Sequence, residues 1–174
     1  VDRWGDFCKA FRVLGWVMRF LGNAKSRKAL RKSGDLSFSE LCAAKTKLFY
    51  CVQGDAYPAE RAALVQGQAI SKSSSIARLN PFLDQEGILR VRGRLQLSHL
   101  AYEEKHPIIL PKCHLSILLI RFHHRLLKHA GVDTLISSIR GSYWIVGLRG
   151  LAKRVKRECL PCKKLDVKAC SQIG

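Results

Sequence analysis

Apolar side chains along the amino-terminal part recur at the spacing of one helix face. Trp4, Phe7, Phe11, Leu14, Val17 and Phe20-Leu21 follow one another at three- and four-residue steps, which predicts a long opening helix whose apolar stripe needs a partner. Asn23 to Gly34 breaks the pattern with Lys25, Arg27, Lys28, Arg31 and Lys32. This basic connector is open to three readings: solvated linker, localisation signal or nucleic-acid contact. Ser37-Phe-Ser-Glu40 has the spacing of a capping box, in which a serine hydroxyl and a glutamate carboxylate satisfy each other's backbone N–H. It opens a second helix through Leu41, Ala44, Leu48 and Cys51 to about Gln53. Pro58 to Val65 predicts a short third helix, because proline suits a first turn, and the polar run 67–75 reads as a loop.

The period then drops to two. After a turn at Leu83 to Ile88, Leu89, Val91 and Leu95 alternate with Arg90, Arg92 and Arg94, the pattern of a half-buried strand with all three arginines on one face. His106 to Pro111 predicts a second apolar strand, and its bounding prolines place it at a sheet edge. Helical period returns with Leu115, Leu118, Leu119, Phe122 and Leu126, and Gly131 supplies a stop. Asp133 or Thr134 can cap a following helix through Arg140. Tyr143-Trp144 forms an aromatic plug, and Leu148, Leu151, Ala152 and Val155 form the inner face of a third helix. The expected fold class is mainly α with a small antiparallel β element and a C-terminal three-helix bundle. The loop 67–79 is the clearest boundary, so the divisions are a helical region over 1–66, a β extension over 80–111 and the bundle over 112–168.

Composition narrows the partners. A chain of 174 residues with 47% hydrophobic content can bury a core as one domain or as two small ones. Its formal charge of +18 and pI near 10.1 exceed what solubility requires and favour a polyanion such as nucleic acid over an acidic protein or a membrane surface. No apolar run approaches the ~20 residues that cross a bilayer, and Val-Asp-Arg-Trp has no signal-peptide character. The expectation is an intracellular protein outside the membrane, and the missing initiator Met marks it as an expected piece of something longer. Seven cysteines without a regular framework fit a reducing compartment. Cys8, Cys42 and Cys51 read as small core residues, His106 and His114 as structural, and Cys113 and Cys170 have no evident role.

One stretch places metal-ligand residue types at metal-ligand spacing. Four residues separate His124 from His129, two separate Cys159 from Cys162, and 29 lie between the pairs. Neutral imidazoles and thiolates suit zinc's borderline-soft character, and two of each make a closed tetrahedral structural site. The expected cofactor is one structural zinc per chain, with no position open to substrate. Histidines five apart on an ideal helix lie about 140° apart, so the pair converges only if the helix is unwinding at His129. The neighbouring His123 points about 100° further round the helix, toward another face. A bundle of about fifty residues buries too little to be secure alone, so the ion should add folding free energy directly. Its removal should then unfold 112–168 and spare the amino-terminal helices. A redox enzyme using Cys159 and Cys162 is a rival reading of these thiols.

The run His-x4-His-Ala-Gly-Val-x-Thr-Leu, followed by Tyr-Trp-Ile, Arg and Cys-x2-Cys, resembles the zinc-binding N-terminal domain of retroelement integrases, in particular those of BEL/Pao retrotransposons. Gly-Ile-Leu-Arg-Val-Arg-Gly-Arg-Leu at 87–95 and Lys-His-Pro-Ile-Ile-Leu-Pro at 105–111 resemble the stretch that precedes this module in those polyproteins. Less specifically, residues 1–86 resemble the region between their reverse transcriptase and integrase parts. The resemblance implies a helical linker over 1–66 and an HHCC (H2C2) domain over 112–168, with its bundle of the integrase N-terminal type. It also implies that His124, His129, Cys159 and Cys162 are the ligands, and that the module contacts element DNA ends and helps assemble the multimer. Integrase chemistry uses three carboxylates and two divalent ions in a following core domain, whereas Asp166 is the only acidic residue after Cys162. No nucleophile elbow, phosphate loop or protease signature is present, so the expectation is a non-catalytic piece without catalytic residues.

Arg149, Lys153, Lys156 and Arg157 lie opposite Leu148, Leu151 and Val155, and Lys163, Lys164 and Lys168 continue the positive run. Such a face can contact phosphates without reading sequence. Arg90, Arg92 and Arg94 form the second candidate face. The expected partners are DNA, as retroelement ends or non-specific duplex, and further copies of the chain, with no membrane and no small-molecule substrate. Nuclei or virus-like particles are the expected location. The alternative is a zinc-stabilised protein-interaction or oligomerisation module of a host gene derived from a retroelement, with the stripe Trp4 to Leu21 as its seam.

Overall fold

The computed structural model describes residues 7–92 and 101–166; Trp4, Arg94, Leu95, Lys168 and Cys170 lie outside them. Helices α1 (Phe7–Lys25) and α2 (Phe38–Ala56) pack along each other. Gly15 permits the approach, since a Cβ there would stand 3.0 Å from Leu36 Cδ1 and 3.7 Å from Ala44 Cβ. The capping box forms as the sequence predicts: Glu40 N–H donates to Ser37 Oγ at 3.3 Å and Ser37 N–H to Glu40 Oε2 at 2.9 Å. Glu40 also receives the buried Arg19 guanidinium, which donates further to the carbonyls of Gly34 and Asp35. The Arg19 hydrogen bond is the main cause that holds the Glu40 carboxyl well below the usual carboxylate range.

The apolar stripe of α1 divides in two. Phe7 is buried, with ring centroids 6.4 Å from Phe49 and 6.0 Å from Phe122. Trp16, Val17, Phe20 and Leu21 remain exposed, Phe20 to 71%. Cys42 and Cys51 are exposed and Cys8 is partly buried, contrary to their expected core positions. Nine residues put Cys42 and Cys51 on opposite sides of α2, at ~100° per residue, so at most one could face a common core.

Helix α3 (Pro58–Val65) leads through a turn into a sheet that is built on both sides of helix α4 (Tyr102–Lys105). The order is β1 (Pro81–Leu83), β2 (Leu89–Val91), β3 (Ile108–Leu110), β4 (Tyr143–Ile145). β1 to β3 are antiparallel neighbours, and β4 runs parallel to β3, with Ile108 opposite Tyr143 and Leu110 opposite Ile145. The expected aromatic plug is therefore a fourth strand, and the sheet is mixed. β3 is internal rather than an edge, because Pro107 and Pro111 flank its three paired residues. Pro107 enters the ladder only as an acceptor, for the Val91 N–H at 3.0 Å. β2 is buried at every position instead of alternately. From α2, the fully buried Gln53 donates to Leu89 O at 3.0 Å and Ile109 O at 2.7 Å, and accepts from Leu89 N–H at 2.7 Å.

Helices α5 (His114–Leu126), α6 (Val132–Arg140) and α7 (Leu148–Glu158) form the expected bundle, followed by a separate short helix α8 (Leu160–Asp166). Gly131 is the N-cap of α6, with no side-chain cap. Asp133, expected as a cap, pairs instead with Arg149 at 2.8 Å. One buried cluster joins Phe7, Phe49, Leu110, Leu119, Ile139 and Leu151, so the core crosses both expected divisions. No helix among the described residues is long and apolar enough to cross a membrane.

Candidate metal centre

Backbone geometry at the end of α5 brings the two histidines together. α5 ends in a Schellman motif, with Lys128 N–H donating to Arg125 O at 3.0 Å and His129 N–H to His124 O at 2.9 Å. Lys128 and His129 are both left-handed, at φ 51° and 65°, whereas Gly131 sits at −59°. The stop is thus made by Lys128-His129 and not by the expected Gly131. The helix unwinds at His129, and the hydrogen bond that ends it ties one histidine's backbone to the other's.

The thiols come from the opposite direction. Cys159 is extended at the end of α7, and Lys163 N–H donates to its carbonyl at 3.0 Å. Pro161 is accommodated in the first turn of α8, where its missing N–H costs nothing. That turn carries Cys162 back toward α5.

His124 Nε2, His129 Nδ1 and the two sulfurs all lie within 4.8 Å of one another. The nitrogens are 3.1 Å apart, Cys159 Sγ is 3.2 Å from His129 Nδ1, and Cys162 Sγ is 3.3 Å from His124 Nε2 and 3.8 Å from His129 Nδ1. A tetrahedral zinc with ordinary bond lengths sets edges of about 3.3 Å between nitrogens and about 3.6 Å from nitrogen to sulfur. The donor set, its count and its spacing fit that ion. Each sulfur turns toward an imidazole, which favours a shared metal over a redox pair.

His124 and Cys162 are buried, while His129 and Cys159 are half-buried. Burial, then His129 and Lys156, hold the His124 imidazole below the usual histidine range, and neutral imidazole is the form that ligates. Its Nδ1 is buried without a hydrogen-bond partner among the described residues. His123 is outside the cluster. Its ring packs on Phe122 and Tyr143, and its Nδ1 lies 3.3 Å from Ser138 Oγ. The sequence reading missed Glu158, which joins α5 to α7 by accepting from Arg121 at 3.1 Å and Arg154 at 2.7 Å; a lone carboxylate in a basic helix has no periodic signal.

The candidate DNA-contacting residues scatter. Arg149, Lys153, Arg157, Lys163 and Lys164 are exposed, and Lys156 is half-buried. Arg92 is exposed, with its guanidinium over Phe82 at 5.4 Å. Arg90 must be removed from the set. It is 8% exposed, paired with Asp84, donates to His106 O at 3.0 Å and lies over Tyr102. The alternation that predicted a solvent face could not register that α4 and the 83–88 turn cover it.

Residues 111–168, a third of the chain, match the family model described as the integrase zinc binding domain. No curated protein and no solved structure matches the chain.

Proposed function

We propose that residues 111–168 are the zinc-stapled, non-catalytic module of a retrotransposon-derived integrase of BEL/Pao type, which contacts DNA through a basic face and aids integrase assembly in DNA integration. The observation that carries this reading is the convergence of two imidazole nitrogens and two thiol sulfurs within 4.8 Å at the junction of α5, α7 and α8. Zinc, when bound, supplies a four-coordinate crosslink with no open position, which stabilises the fold and does not activate water.

The chain's own residues form the interface. Leu148, Leu151, Ala152 and Val155 are buried and anchor α7, which leaves Arg149, Lys153 and Arg157 on its outer side. Four-residue steps space them about 6 Å apart along the axis, and Lys163 and Lys164 extend the row on α8. Long cations on an exposed helix side bind phosphates and carry little base information. The proposed partner is duplex DNA, at element ends or elsewhere, in nuclei or virus-like particles.

The exposed Trp16, Val17, Phe20 and Leu21 of α1 favour a second reading, a protein-interaction or oligomerisation module of a host gene derived from a retroelement. A gel shift with duplex DNA across a salt series separates the two. The proposal expects binding that is tight at low salt, weakly sequence-dependent, and without cleavage or strand transfer in Mg²⁺ or Mn²⁺. Absent binding together with concentration-dependent self-association would replace it by the second reading.

A further inference from the structure

At the end of α7 remote from the metal ligands, about 15 Å along the helix, Arg78, Arg140, Trp144 and Arg149 line one groove. The three guanidinium groups come from separate segments: the turn before β1, the end of α6 and the first turn of α7. All three arginines are exposed. Among the described residues Asp133, on Arg149, is their one acidic partner, and Arg78 and Arg140 have none. Arg140 lies over the Trp144 ring at 5.5 Å, which holds its charge at the groove wall. At Gly147 and Gly150, which also line the groove, a Cβ would meet nothing within 4 Å. The main chain there is open to an approaching group. Three like charges gathered in one concavity repel one another until an anion is shared among them. Guanidinium forks match phosphate oxygens in pairs, and Arg149 belongs both to the groove and to the outer row of α7, so a continuous polyanion can occupy both.

We infer that this groove binds the phosphodiester backbone of nucleic acid and extends the α7 face to Arg78, a residue upstream of the integrase-like module. The inference rests on the DNA-binding reading above.

The test is fluorescence anisotropy of the full zinc-loaded chain with a labelled random-sequence DNA duplex over a salt series. Arg78→Gln should lower the slope of log affinity against log salt by roughly 0.9, and adding Arg140→Gln should lower it by a similar step, with zinc content and helicity unchanged. Should Arg140→Gln disturb the Trp144 packing and lose helicity, Arg78→Gln alone decides. If Lys153→Gln with Arg157→Gln lowers the slope while Arg78→Gln leaves it unchanged, the groove assignment is overturned and the DNA reading stands. If the wild-type chain binds no duplex at any salt, both fall. Polyglutamate binding that depends on Arg78, beside a DNA slope that does not, would assign the groove to acidic polypeptides and overturn the inference.

Discussion

His129 reaches the cluster of donor atoms through a backbone that its neighbour's side chain disfavours. Lys128 is left-handed at φ 51° with an exposed side chain, a conformation that costs a residue with a Cβ about 1 kcal/mol relative to glycine. Lys128→Gly should therefore raise the stability of the zinc-loaded chain by about 1 kcal/mol, measured by urea denaturation at saturating zinc; no gain would mean that the turn is unstrained. The ligand assignment has its own test in native mass spectrometry. His124→Ala and Cys162→Ala should abolish stoichiometric zinc, whereas His123→Ala, whose ring rests on Tyr143 outside the cluster, should retain it. Acidity acts in the same direction as ligand loss. The folded-state pKa of His124 lies below its unfolded value, so its contribution to stability is complete above about 6.5 and falls as pH drops through that value. Protons also compete with zinc for the ligating lone pair, so zinc release and loss of helicity should appear together on acid titration of the loaded chain.

Among the elements, one side chain of α2 makes hydrogen bonds to both β2 and β3. Gln53 occupies main-chain groups of β2 and β3 that their single paired position, Arg90 with Ile108, leaves unused. Gln53→Met keeps the volume but strands a buried N–H and carbonyl oxygens, which should cost about 2–4 kcal/mol in a chemical denaturation midpoint. A cost near zero would mean that water replaces the amide. Elements of this kind separate what could be read from the sequence and what could not. The helices and the clustered His and Cys side chains were legible because their signals are local: three- and four-residue apolar steps, the capping box of α2, and histidines five apart and cysteines three apart. β4 was not, because three residues have too little period to distinguish strand from plug, and its partner Ile108 lies far back in the chain. Arg90 shows the same limit from the other side, since alternation reports a strand's two faces but not what covers each of them.

Across the whole molecule, Phe7 and Phe49 belong to the same buried cluster as Leu118, Leu119 and Leu151, and β4 from the bundle completes the sheet that Gln53 fastens to α2. This continuity changes the expectation that removing metal unfolds 112–168 and spares the amino-terminal helices. When α5 to α7 lose their order, β3 loses its parallel neighbour β4, and Phe7 and Phe49 lose the apolar surface against Phe122 and Tyr143. The helices α1 and α2 then keep mainly their mutual contact and the Arg19–Glu40 pair, with the exposed stripe of α1 enlarged. Chelation should accordingly lower the amide-exchange protection of Phe49 and Gln53 together with that of Leu118 and Leu119, in one cooperative step. Protection at Phe49 and Gln53 that is unchanged after complete zinc removal would show that α1 and α2 form an independent unit and that the shared core does not couple them to the metal centre.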